Sequence, residues 1–191
     1  MKNAELSLLS DEFLDSIGKS NKPNLQLGLL RHLLNDQIRT MQRKNLVKSR
    51  KFSEMLTEAV KRYTNRSLTT AEIIAELVAL AKNMRESQKR ADELGLTEVE
   101  IALYDTIIQN DSAIMEMGDE TLKTIARELV STIQRSATID WTLKETVRAR
   151  MRSRIKRLLA KYKYPPDKQE EAVKLIIEQA EHLASEDSFD D

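Results

Sequence analysis

The chain has 191 residues, 40% apolar and 32% charged, which fits a soluble, folded protein of one domain with a real core, or of two small ones. Its 31 basic and 31 acidic residues cancel, so any electrostatic role lies in how the charges are distributed. The absence of cysteine excludes disulfides, thiolate metal sites and cysteine nucleophiles; four glycines and three prolines leave few turns for a sheet protein; and neither a signal peptide nor a run of roughly 18 apolar residues is present.

Apolar residues recur at helical spacing along most of the chain. Residues 5–17 are predicted as a short helix with Leu6, Leu9, Phe13, Leu14 and Ile17 inward, Gly18 at its C-terminal cap, and a polar linker over 19–24. A helix over about 25–42 turns Leu29, Leu30, Leu33, Leu34, Ile38 and Met41 inward, with His32 at the core or its boundary. The next, over 45–64, carries Val47, Phe52, Met55, Leu56, Ala59, Val60 and Tyr63; the spacing does not say whether it continues its predecessor. Asn65-Arg66-Ser67 breaks it, and Thr69 or Thr70 caps a long helix that ends at Gly95. Thr97-Glu98-Val99-Glu100 reads as a capping box, in which the Thr and Glu side chains satisfy orphan N–H groups of the first turn. Residues 110–118 give a short turn of helix with Met115 and Met117 as core filler. Asp119 then opens a helix with Leu122, Ile125, Ala126, Leu129, Val130 and Ile133 inward, followed by a loop over 135–138.

From Ile139 to Leu183 the pattern predicts a basic helix, a Pro-Pro corner and a helix folded back. Asp140 caps the basic helix, and Val147, Met151, Ile155, Leu158 and Tyr162 form its apolar stripe. Arg148, Arg150, Arg152, Arg154, Lys156 and Arg157 flank that stripe; they are the expected exposed cations and the candidate contacts to a partner or to DNA. Trp141 and Tyr164 are expected to fix the two ends of this helix in the core. Tyr164-Pro165-Pro166 cannot continue a helix, since each Pro lacks an N–H and drives the preceding residue out of the α region. Asp167 starts the last helix, which buries Ala172, Val173, Leu175, Ile176, Ile177, Ala180 and Leu183 before an acidic, frayed tail over 185–191. The expectation is an all-α, multi-helix bundle of about seven or eight helices, in one domain over 1–191.

The charges are segregated. Residues 31–66 carry ten basic groups against three acids, residues 91–120 carry nine acids and no Lys or Arg, and residues 143–163 carry nine basic groups against Glu145 alone. Such segments either neutralise one another when packed or offer a basic surface to an anionic partner.

Motifs for chemistry are missing. There is no G-x-x-x-x-G-K-S/T, no G-x-G-x-x-G and no H-E-x-x-H, and His32 and His182 lack ligand spacing. Pro166-Asp167 with Glu171 and Lys174 loosely imitates a metal-dependent nuclease pattern, but the Glu–Lys spacing is one too long and the residues open a helix. No catalytic, metal or cofactor-binding residue is therefore assigned.

Three segments at their mutual spacing carry a resemblance: I-D-W-T-L-K-E-T-V-R-A-R-M at 139–151, K-R-L-L-A-K-Y-K-Y-P-P-D-K at 156–168 and I-E-Q-A-E at 177–181, supported by P-N-L-Q-L-G-L-L-R-H-L-L-N-D-Q-I-R at 23–39 and G-L-T-E-V-E-I-A-L-Y-D at 95–105. Over roughly Leu6–Leu183 the chain resembles the C-terminal helical domain of the restriction (motor) subunit of type I restriction-modification enzymes. The resemblance implies a larger parent, an ATP-dependent restriction endonuclease whose nuclease and ATPase domains, with ATP and Mg, lie elsewhere. It implies no cofactor and no enzyme activity in this stretch, and a cytoplasmic location in a bacterium or archaeon without a membrane partner. It also implies partners: the methyltransferase and specificity subunits, onto which the domain would dock the motor subunit. The alternative is a module that contacts double-stranded DNA non-specifically through the basic helix. Salt separates the two, because phosphate contacts weaken steeply as salt rises.

Overall fold

The computed structural model describes Ser10, Leu14, residues 22–136 and residues 145–185. Among the described residues there are eight α-helices and no strand, the all-α multi-helix fold that the periodicity predicts. The helices are α1 (Pro23–Gln42), α2 (Leu46–Thr64), α3 (Thr70–Glu93), α4 (Glu98–Ile107), α5 (Asp111–Met117), α6 (Asp119–Ser136), α7 (Glu145–Lys161) and α8 (Gln169–Ser185), with a 3-10 turn at Pro166–Lys168. The expected helix over 5–17 (apart from Ser10 and the buried Leu14), the Gly18 and Asp140 caps, Trp141 and the tail beyond Ser185 lie outside the described residues. The chain divides into two compact units. One holds the described residues up to Gln42 together with Ser49–Glu93; the other holds Arg43–Lys48 together with the described residues from Leu94 on.

In the first unit α1 packs along α3. The core is built from Leu30, Leu34 and Ile38 of α1, Phe52, Leu56 and Ala59 of α2, and Ile73, Leu77, Leu80, Ala81 and Met84 of α3. Helix α1 starts at Pro23, two residues earlier than the apolar pattern suggests, because a Pro at the first helical position lacks only an N–H that would have no partner there. Its buried row steps by four residues, so Leu25 and Leu29 sit about 100° off that row and are 67% and 41% exposed; Leu29 is not the core residue expected, and neither is Met55 of α2, 39% exposed. His32 is also outside the core, exposed and 3.1 Å from Asp36 one turn on. A non-helical stretch, Arg43–Asn45, separates α1 from α2. Helix α2 ends on a left-handed Arg66 (φ 59°), with Ser67 N–H donating to Arg62 C=O at 2.9 Å and Arg66 N–H to Tyr63 C=O at 3.0 Å. Thr69 then caps α3: its hydroxyl accepts from Glu72 N–H at 3.3 Å, while Glu72 takes Thr69 N–H at 2.7 Å.

In the second unit α4 packs on α6 and α8, α6 on α7, and α7 on α8, with the short α5 on α6. The predicted capping box is present, Thr97 accepting from Glu100 N–H at 3.3 Å and Glu100 from Thr97 N–H at 2.8 Å. The core joins Leu103 and Ile107 of α4, Leu122, Ile125, Leu129 and Ile133 of α6, Met151, Ile155 and Leu159 of α7, and Val173, Ile176 and Ala180 of α8. Met117 packs partly buried against this core, but Met115 is 86% exposed and fills nothing. Two turns of helix cannot bury both faces, and α5 buries only Ala113. Residues 43–48 are fastened to this unit by polar contacts. Lys44 meets Glu98 at 2.7 Å and the Asn45 amide donates to Asp105 at 2.6 Å. The buried Gln179 side chain takes Leu46 N–H at 2.9 Å and donates to Lys44 C=O at 3.1 Å.

Candidate functional site

Helix α7 buries Met151, Ile155, Leu158 and Leu159, with Val147 and Tyr162 partly buried at the ends of the stripe. At about 100° per residue the cations fall into two rows, one on each side of it. Arg148, Arg152 and Lys156 lie on one side; Arg150, Arg154, Arg157 and Lys161 lie on the other.

The first row is largely engaged with α8. Arg148 Nε is 2.6 Å from Glu181 Oε1, both atoms shielded from solvent, and Arg148 Nη1 is 3.4 Å from Glu145. Lys156 is paired with Glu170. Arg152 is exposed. Arg148 and Lys156 are thus only partly exposed, each held by an acid of α8. Arg150, Arg154 and Arg157 of the second row are exposed.

That second row borders α6. Lys161 Nζ donates to both Glu128 oxygens at 2.9 Å, and the Tyr162 hydroxyl donates to the same carboxylate. The Tyr162 hydroxyl, then Lys161, hold Glu128 below the usual carboxylate range; in return Glu128 raises Lys161 and Tyr162. An open groove of about 380 Å³ runs here, lined by Glu128, Thr132 and Arg135 of α6 and by Arg154, Arg157, Leu158 and Lys161 of α7. Lys161 belongs to the row by its spacing from Arg157 and was within reach of sequence reasoning. Arg135 comes from another helix, and only packing brings it to the groove.

The corner after α7 is tightly hydrogen-bonded. Lys163 is left-handed (φ 56°), Tyr164 N–H donates to Leu159 C=O at 2.9 Å and Lys163 N–H to Ala160 C=O at 3.0 Å. Tyr164 is buried, as expected, and its hydroxyl donates to Ile107 C=O at 2.7 Å; burial pushes that hydroxyl up to about 12. Asp167 lies in the 3-10 turn rather than in α8 and accepts from Asn110 at 3.3 Å and Ser112 at 3.2 Å.

The acidic segment is partly consumed inside the second unit. Glu98 and Asp105 hold Lys44 and Asn45; Asp119 takes the Tyr104 hydroxyl, and Lys123 pairs with Asp119 at 3.4 Å and Glu120 at 2.9 Å. Asp111 and Glu116 stay exposed on α5, beside Ile114 (48% exposed) and Met115. Among the described residues no group of three or more His, Asp or Glu side chains could hold a metal ion, and no helix is long and apolar enough to cross a membrane.

No solved structure matches this chain significantly. It is 43% identical over 182 residues to the type I restriction enzyme HindI endonuclease subunit of Haemophilus influenzae, which covers 95% of this chain and 17% of that protein. It is 38% identical over 160 residues to the putative type I restriction enzyme MjaIXP endonuclease subunit of Methanocaldococcus jannaschii, covering 82% of this chain and 15% of that one. The chain therefore spans under a fifth of the length of these curated relatives. The family model of the type I restriction enzyme HindI endonuclease subunit-like C-terminal region matches residues 1–186, and this chain, in agreement with the resemblance of its basic helix and Pro-Pro corner, belongs to that family.

Proposed function

We propose that this chain is an assembly domain that docks a type I restriction endonuclease subunit onto its methyltransferase–specificity core. Nuclease and ATPase chemistry, with ATP and Mg, then belong to the remainder of the longer subunit. The observation that carries the reading is the tip of α5. Ile114 and Met115 stand exposed side by side, flanked by Asp111, Glu116 and Glu120. A flexible, polarisable Met suits a docking contact that adapts to its pocket, and exposed apolar surface rimmed by charge is typical of partner sites. The acids would steer the tip to a basic-rimmed apolar pocket and exclude acidic surfaces.

The test is a pulldown of this chain with the purified methyltransferase–specificity core at low and high salt, beside Met115→Glu. The wild type should be retained at high salt, and Met115→Glu should weaken retention at least about tenfold, because it forces a charge into the apolar centre of the contact. A wild type that is not retained refutes docking; retention unchanged by Met115→Glu removes the α5 tip from the interface.

A further inference from the structure

We infer that the groove between α6 and α7 holds the phosphate backbone of duplex DNA without reading its sequence. The inference is independent of the docking reading and rests on other residues.

Spacing is the first support. Arg150, Arg154, Arg157 and Lys161 follow one another by four, three and four residues, a single line along one face of α7. Eleven residues at 1.5 Å each carry that line over about 16 Å. A regular row of cations matches a regular row of anions better than it matches the scattered carboxylates of a protein surface.

Net charge within the groove is the second. Among the described residues its one carboxylate, Glu128, is taken by Lys161 and the Tyr162 hydroxyl. Arg135 from α6 and Arg157 from α7 have no carboxylate partner among the described residues, and Arg154 lines the same groove. The guanidinium fork matches two phosphate oxygens at once.

The lining itself is the third. Among the described residues the only apolar side chain of the lining, Leu158, is 7% exposed, so they present no apolar centre of the kind that holds a protein partner. Phosphate contacts fix register without specifying bases.

Fluorescence anisotropy with a labelled duplex of about 20 base pairs, over about 50 to 200 mM salt, tests this. Binding should be equal for unrelated sequences. The double variant Arg135→Glu with Arg157→Glu should weaken it at least tenfold at the lowest salt, whereas Arg152→Glu, on the opposite row, should change it less than threefold. Arg135→Gln with Arg157→Gln serves if reversal disturbs the helical circular dichroism; it should lower the slope of log affinity against log salt by about two. Absence of binding at the lowest salt, equal losses from Arg152→Glu and the groove variant, or a slope unmoved by the Gln pair overturns the inference. So does equally tight, Arg157-dependent capture of poly-glutamate, which would make the partner an acidic protein.

Discussion

Removing one oxygen atom from Tyr164 is a sharp test of how α7 is joined to the rest of its unit. The ring is 3% exposed and its hydroxyl donates at 2.7 Å to the carbonyl of Ile107, the last residue of α4. Carbonyls in the final turn of a helix have no partner within it. Tyr164→Phe keeps the ring in place and leaves that buried acceptor empty, so the cost is that of an unsatisfied carbonyl, about 1–3 kcal/mol. The same hydroxyl supplies a pH signature. Burial raises its pKa from 10.0 to about 12 in the folded chain, because the charged form is disfavoured there. The contribution is complete below about pH 10, where the unfolded chain would begin to ionise, and is lost as the pH climbs toward about 12. The stability gap between wild type and Tyr164→Phe should therefore narrow across that window. Urea unfolding followed by circular dichroism, at neutral pH and at steps through the alkaline range, reads both effects. The midpoint should fall with an unchanged denaturant slope. A neutral-pH difference below about 0.5 kcal/mol would mean the carbonyl is satisfied another way, and a gap that stays constant through the alkaline window would refute the buried phenol.

Two further outcomes follow from local geometry. Lys163 and Arg66 each hold the left-handed cap position of a helix where glycine carries no side-chain strain. Lys163→Gly and Arg66→Gly should each stabilise by about 0.5–1 kcal/mol, seen as a rise of roughly 1–4 °C in the melting midpoint; a fall would show that these side chains are needed where they stand. Gln179→Leu empties two hydrogen bonds at once, to Leu46 N–H and Lys44 C=O. It should destabilise by about 2–4 kcal/mol and speed hydrogen exchange at the Leu46 amide, and unchanged exchange there would contradict the contact.

Helix type, most boundaries and the main buried rows were legible because a period near 3.6 dominates the chain and its punctuation is chemically distinct: Thr97-x-x-Glu100, Gly118, Tyr164-Pro165-Pro166. The errors have a common physical source. Local apolarity places Leu29, Met115 and His32 at the core or its boundary, yet burial depends on how much neighbouring surface each helix meets. The narrow buried row of α1 and the two-turn length of α5 leave these residues outside. At the candidate site, both cation rows follow from the angular step of a helix. Which row keeps its charge for a ligand does not, because Glu170 and Glu181 sit on α8 and Glu128 on α6, and only packing decides which row each acid faces.

The discontinuity of the second unit changes what counts as a separable piece. A fragment cut at Leu94 would keep that unit's apolar core, since among the described residues the core side chains all come from Leu94 onward. It would nonetheless lose Lys44, Asn45 and Leu46, and with them the partners of Glu98, Asp105 and Gln179. Residues 43–48 act as a clasp encoded some fifty positions upstream of the body it fastens. Shuffling segments among homologues at Leu94 would mate one protein's clasp with another's receptor, so compatible exchanges are those in which 43–48 and 94–185 travel together.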